Sequence, residues 1–219
     1  MRRNVRFTDR VVVVTGAAGN LGRAVCDAFG REGATVVGLD VETNILDSRK
    51  LEARIQEIIE NQKRIDIVCN IAGGFRMGKP VHETSDADWD FLFDLNVKSV
   101  RNMARAVVPH MLKAGGGKIV NVGAFAAQRG AAQMGAYVAS KSAVIRLTEA
   151  MAAELREKNI NVNCVMPTIL DTPQNRADMP KADPAKWVAL GDAAQAILFL
   201  ASDDARAIHG AALPVTGLS

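Results

Sequence analysis

At 219 residues, 48% of them apolar and 23% charged, with 18 Gly and only 5% aromatic, the chain has the make-up of one globular domain over residues 1–219. That balance excludes intrinsic disorder, collagen and coiled coil. With 27 Lys and Arg against 24 Asp and Glu the formal charge is +3, too even for phosphate-backbone binding, so no nucleic acid partner is expected. Apolar runs stop short of the roughly 18–20 residues that a membrane span needs, and no membrane partner is expected either. The basic opening, residues 1–6, meets Asp9 and Arg10 without an apolar stretch or cleavage site, which makes cytoplasm the expected compartment. Cys26, Cys69 and Cys164 lack a CxxC or a nearby His and read as reduced core residues; His82, His110 and His209 stand alone, and no metal is expected.

Residues 10–15 are a β-branched run suited to a strand buried on both faces of a parallel sheet. A glycine-rich turn follows, then a helix over 20–32 whose Leu21, Ala24, Val25, Ala28 and Phe29 share one face, with Gly33 at its end. A second strand over 34–39 stops at Asp40, and a short strand is admissible over 43–47. The pattern then predicts a helix over 48–61, a strand over 65–70, a long helical region over 85–112, a strand over 118–122, a helix over 134–158 and a strand over 161–165. Residues 166–188 carry Pro167, Pro173, Pro180 and Pro184 without a clean period and read as an irregular, mobile segment. A helix over 192–201 and a strand over 211–215 complete the chain. Repeated strand–helix units predict the α/β class: a single Rossmann-type, doubly wound parallel sheet with helices on both faces.

In Thr15-Gly16-Ala17-Ala18-Gly19-Asn20-Leu21-Gly22, glycines lie between a buried strand and a helix start, where backbone N–H groups and the helix dipole can bind a pyrophosphate. A purely steric need for glycine in the turn is the plainer alternative. Asp40 adds a carboxylate able to accept both ribose hydroxyls of an adenosine and to repel a 2′-phosphate, against the plainer reading of a solvated strand end. The expected cofactor is NAD, with NADH preferred over NADPH.

Followed by Tyr137-Val138-Ala139-Ser140-Lys141, that stretch resembles the short-chain dehydrogenase/reductase superfamily over nearly the whole chain. The resemblance implies that Tyr137 donates or accepts the proton, and that Lys141, four residues on and on the same helix face, lowers the Tyr pKa and holds the nicotinamide ribose. Asn70-Ile71-Ala72-Gly73 resembles the family's NNAG strand end, with Ile71 for the second Asn, and implies Asn70, Ala72 and Gly73 along the adenosine side of the cofactor. Asn96 matches the helix Asn that supports a water linking the catalytic Lys to solvent; a local cap or backbone bond is the alternative. Pro167-Thr168-Ile169-Leu170-Asp171-Thr172 resembles the PGxxxT loop around the carboxamide, with Thr168 for Gly. The implied catalytic set is Tyr137, Lys141 and Asn96. The implied cofactor set is Thr15, Gly16, Asn20, Leu21, Gly22, Asp40, Asn70, Ala72, Gly73, Tyr137, Lys141, Pro167, Ile169 and Thr172.

Two features depart from the family pattern. Thirteen residues before Tyr137, where most members have a substrate-binding Ser, stands Ala124. Losing one oxyanion donor costs on the order of 10²–10³ in rate, and Gln128 or Gln133 are the candidate replacements. From Asp40 to Asn70 there is room for one helix and one strand where the family has a further helix–strand unit, so one crossover is shortened. Both departures, together with residues 69–75 and a lid region within about 166–190, are similar to dihydropteridine reductases and imply NADH-dependent reduction of a quinonoid dihydropteridine or similar conjugated acceptor. The alternatives are a ketone reductase or alcohol dehydrogenase using another oxyanion donor, and a dinucleotide-binding protein without turnover. The expected partner is a small-molecule substrate. Met103, Val107, Met111, Met134, Leu147 and Met151 extend apolar stripes that single-chain burial can explain; the family resemblance instead implies helix pairing between subunits in a homodimer or homotetramer.

Overall fold

The computed structural model describes residues 6–219, so the basic opening, Arg6 apart, lies outside the described residues. Six strands, Val11–Thr15 (β1), Thr35–Leu39 (β2), Ile67–Asn70 (β3), Gly117–Val122 (β4), Ile160–Pro167 (β5) and Ala212–Val215 (β6), form one sheet in the order β2-β1-β3-β4-β5-β6. Every pairing is parallel. The helices are Asn20–Arg31 (α1), Ser48–Gln62 (α2), Asp86–Phe93 (α3), Ser99–Ala114 (α4), Gly135–Leu155 (α5), Pro173–Asp178 (α6) and Leu190–Ala201 (α7).

Strands β1, β3 and β5 are buried along their whole length, as their continuous apolar runs require, whereas the edge strands β2 and β6 expose residues. Alternate β1 residues serve opposite layers. Val12 and Val14 pack with Val25 and Phe29 of α1 and Ile197 and Leu198 of α7, while Val13 packs with Leu51 and Ile55 of α2 and Met103 and Val107 of α4. The sheet is therefore doubly wound. The chain passes outward from β1 to β2 and returns through α2, the single helix of the shortened crossover, to β3 on the other side of β1. The carboxyl ends of β1 and β3 thus flank the topological switch point, where open α/β sheets bind ligands.

Three expectations need correction, and the apolar stripe divides between its two readings. Residues 43–47 form turns, not a strand: Asn44 accepts from the Leu46 N–H at 3.1 Å, and Asp47 accepts from Arg49 and Lys50 N–H as the cap of α2. The long helical region is interrupted by a π-helical turn at Asp94–Lys98. Residues 166–188 are not irregular throughout: β5 runs on to Pro167, Thr172 caps α6 with Pro173 at its first turn, and a parallel bridge from Leu170 to Val188 closes the base of the segment. Met103, Val107 and Met111 are fully buried inside their own chain, leaving Met134, Leu147 and Met151 as the partly exposed part of the stripe. Cys69 and Cys164 are buried and Cys26 partly so, all three as free thiols. Among the described residues no helix is long and apolar enough to cross a membrane.

Candidate active site

At the end of β1 the buried Thr15 hydroxyl accepts from the N–H groups of Ile71 and Ala72, both at 3.1 Å, and so ties β1 to the loop after β3. Gly16 turns at φ +66°, where a Cβ would come within 3.0 Å of the Ala72 backbone; a Cβ on Gly22 would lie 2.0 Å from the Gly16 carbonyl oxygen. Only glycine lets α1 begin this close beneath the turn. Helix α1 has Gly19 at its N-cap, no side-chain cap and no acid in its first turn, so its leading N–H groups and positive dipole end remain available. Ala18, Gly19 and Asn20 are exposed; the Leu21 side chain belongs to the core, leaving only its backbone to the turn. Asp40, half-buried at the end of β2, accepts from Ala18 N–H at 2.6 Å and from Val41 N–H at 2.9 Å, one bond to each carboxylate oxygen. Each oxygen keeps further acceptor capacity.

Beyond β3 the chain meets α5. The Asn70 side chain lies inside the sheet, donating to Asn121 Oδ1 at 2.8 Å, and Asn121 donates to the Thr148 hydroxyl at 2.9 Å. Asn70 Oδ1 is buried with no hydrogen-bond partner among the described residues. Asn96 sits in the π turn, whose extra residue re-aims a side chain. It accepts from Gly74 N–H at 2.8 Å and donates to Gly74 O and to Ser140 Oγ; Ser140 in turn donates to the Tyr137 carbonyl at 2.8 Å. This is the backbone-bonding arrangement that the sequence allowed beside a catalytic one, and it clamps the loop after β3 to the helix carrying Tyr137.

Lys141 is 6% exposed and its Nζ donates to the Val122 carbonyl at 2.8 Å. A Cβ on Gly73 would lie 3.1 Å from that Nζ and 2.9 Å from Asn96 Oδ1, so Gly73 brings bare backbone against both. Burial lowers the Lys141 pKa to about 8 and raises the Tyr137 phenol to about 12. The family resemblance implies a Tyr pKa lowered by the Lys. Here the amine is turned to Val122 and desolvation governs both groups, favouring the neutral form of each.

Phe75, 56% exposed, sets its ring edge-on to Tyr137 with centroids 4.8 Å apart. No periodicity marked that contact. Arg76 follows, its guanidinium 4.0 Å over the Phe91 ring and paired with Asp88. Ala124 is buried with Ala127, Ile145, Cys164 and Met166, against Tyr137. Gln128 and Gln133 are exposed and make no side-chain hydrogen bond among the described residues.

A family model described as enoyl-(acyl carrier protein) reductase matches residues 39–217. Cyclopentanol dehydrogenase of Comamonas testosteroni is 37% identical over 97% of each chain, and 3-oxoacyl-acyl-carrier-protein reductase FabG of Thermotoga maritima is 32% identical over 97% of this chain and 98% of its own. Among solved structures, a short-chain dehydrogenase/reductase from Burkholderia xenovorans matches with a TM-score of 0.89 at 30% identity, covering 97% of this chain and 96% of that one. Carveol dehydrogenase from Mycobacterium avium in complex with NAD matches with a TM-score of 0.87 at 27% identity, over 96% and 97% of the two chains. The chain belongs to the short-chain dehydrogenase/reductase superfamily.

As a member of that superfamily it is an oxidoreductase that binds a nicotinamide dinucleotide. The residues present fit such a group: the uncapped start of α1 offers N–H donors, Gly16 and Gly22 keep the turn free of side chains, and Asp40 presents a carboxylate with spare acceptor capacity at the end of β2. Pro167 closes β5 beside Val215, Ile169 O accepts from Val188 N–H at 2.9 Å, and the Thr172 hydroxyl is engaged by Asn175 N–H at 3.1 Å. Thr168, where the family pattern has Gly, donates to Thr216 O at 2.9 Å and so joins this loop to the C-terminal residues.

Proposed function

We propose that this reductase or dehydrogenase is NAD(H)-dependent and interconverts a small secondary alcohol and its ketone, with Tyr137 handling the proton. The observation that carries the reading is that Asn96 and Lys141 meet at the bare backbone of Gly73, just beyond β3, while Ser140 ties Asn96 to the Tyr137 carbonyl and Phe75 lies edge-on to the Tyr137 ring. When bound, the dinucleotide supplies or takes up the hydride. The Tyr137 phenol, its pKa raised by burial, donates its proton to the substrate oxygen in reduction, and in oxidation the phenolate takes the alcohol proton. Lys141, one helical turn away, supplies positive charge to that end of α5 while it is protonated, and Asn96 holds the Gly74 loop that frames it. Asp40 selects NAD over NADP by accepting ribose hydroxyls and opposing a 2′-phosphate.

Phe75, Ala124 and Met166 give the substrate side an apolar character suited to a compact cyclic or aliphatic alcohol. The relatives include a cyclopentanol dehydrogenase, 37% identical, and a D-threitol dehydrogenase, 31% identical. Ala124 is what keeps the quinonoid dihydropteridine reading as a second candidate, because a delocalised acceptor needs less help at one oxygen.

Steady-state turnover decides: NAD reduction with cyclopentanol and linear secondary alcohols, and NADH oxidation with the matching ketones and with freshly generated quinonoid dihydropteridine. Turnover of alcohols and ketones supports the first reading, and turnover of the pterin alone supports the second. Tight NADH binding with no turnover on either set would make the chain a binding protein. Assembly as a homodimer or homotetramer is part of the same proposal, and a monomer by light scattering at micromolar concentration would remove it.

A further inference from the structure

We propose that the opposite, N-terminal edge of the sheet holds a second site, for a compact multiply charged anion of the phosphate or phosphomonoester type. A cavity of about 300 Å³ opens there beneath the starts of β1, β3 and β4, bordered by the Gly115-Gly116-Gly117 turn and the end of α7. Five cations, Arg6, Arg10, Arg64, Lys118 and Arg206, line it against two carboxylates, Asp66 and Asp203. Five cations against two carboxylates leave an excess of three positive charges in the lining, Arg6 being also paired with Glu32 at 3.3 Å.

The two carboxylates are already engaged. Asp66, 8% exposed, accepts from Val11 N–H at 2.8 Å and from Arg64 at 2.5–3.0 Å. Arg10 reaches Asp66 at 3.4 Å and Asp203 at 3.5 Å. Lys118 and Arg206 form no ion pair among the described residues, and Lys118 Nζ donates to Asn161 Oδ1 at 2.8 Å. Burial, with Arg10 adding to it, lowers the Lys118 pKa against the pull of Asp203. A half-buried ammonium beside a guanidinium, with an uncharged partner, is an arrangement that an anion would relieve. The cavity suits a small molecule, and at about 3.3 Å per residue β1 separates it from the Gly16 turn by roughly 15 Å.

The test titrates inorganic phosphate and pyrophosphate, at ionic strength held constant with chloride, into the full chain saturated with NADH so that the Gly16 turn is blocked. Calorimetry should give saturable binding, with the melting temperature rising in parallel. Lys118→Met and Arg206→Gln should each weaken that binding about tenfold or more while leaving NADH affinity unchanged. Arg206 is exposed, so its variant decides the matter if Lys118→Met fails to fold. Absence of saturable binding, or binding unchanged in Arg206→Gln, would overturn the proposal.

Discussion

Asp40→Asn isolates the charge that the proposed function sets at the ribose end of the cofactor. The amide keeps the size of the side chain and one oxygen to accept from Ala18 N–H, which the carboxylate holds at 2.6 Å. A 2′-phosphate carrying about −2 at roughly 4 Å from the carboxylate is repelled by about 2 kcal/mol in a water-like medium and about 8 kcal/mol at an effective dielectric of 20. Asp40 is half-exposed and screened by salt, so the lower end applies, about 2–3 kcal/mol. Exchanging a charge-assisted bond to the ribose hydroxyls for a neutral one weakens NADH binding by about 1 kcal/mol. Together these shift the NADH-over-NADPH preference in kcat/KM by about 3–4 kcal/mol, or roughly 10²–10³-fold. Initial rates with both cofactors measure the ratio, and a melting curve checks that the turn survives. A wild-type chain without NADH preference, or a ratio that moves less than about threefold, refutes the reasoning.

Tyr137→Phe should lower kcat by roughly 10²–10⁴ while NADH binds as before, because the ring still packs on Phe75; near-normal turnover would remove Tyr137 from its role. Ala124→Ser restores a hydroxyl against Tyr137 and should raise kcat/KM on ketones by about tenfold or more without a gain on a dihydropteridine, measured side by side. Gly22→Ala drives a Cβ to 2.0 Å from the Gly16 carbonyl and should cost about 2 kcal/mol or more of stability together with cofactor binding, read by urea melts and NADH titration. Lys141 titrates near 8 folded, against an ordinary 10.5. Between those values the unfolded chain holds more protons, so stability rises with pH there, by up to about 3 kcal/mol. Tyr137, raised to about 12, pulls the other way only above pH 10. Urea midpoints should therefore climb from pH 8 to 10 and flatten in Lys141→Met, and a falling wild-type midpoint would contradict the burial argument.

What sequence reading recovered was whatever is encoded locally. The four valines of β1, the stripe of α1 and the glycines of the turn each carry their structural reason within a few residues, so sheet, helix and turn were legible together. The π turn at Asp94–Lys98 was not, because one extra residue hardly disturbs the spacing of apolar side chains across two long helices. Pro173 was read as a breaker, although after Thr172 it opens a helix. Met103 and Val107 show the limit of a stripe: periodicity says that a face is covered, not whether the cover is the chain's own sheet or a second subunit. Within the site, Phe75 against Tyr137 and Val122 O beneath Lys141 join residues far apart in sequence with no motif to announce them. Arg10, Asp66 and Lys118 meet only because parallel pairing aligns the starts of β1, β3 and β4.

The two ends of the sheet are built on opposite principles, and the difference bears on Ala124. At the N-terminal edge charges stand close together around an open cavity. At the carboxyl edge Gly16 and Gly22 let backbone approach backbone, Gly73 and Gly74 let side chains approach bare backbone, and Tyr137 and Lys141 are held toward neutrality by burial. In the proposed reaction, charge developing on the substrate oxygen meets few fixed donors, since the position that could add a hydroxyl is a methyl packed among Ala127, Ile145 and Met166. Stabilisation then falls on the Tyr137 proton and on whatever positive charge Lys141 retains. A substrate whose oxygen accepts its proton early, or whose charge is spread over a ring, suits that arrangement better than one that must carry a localised alkoxide.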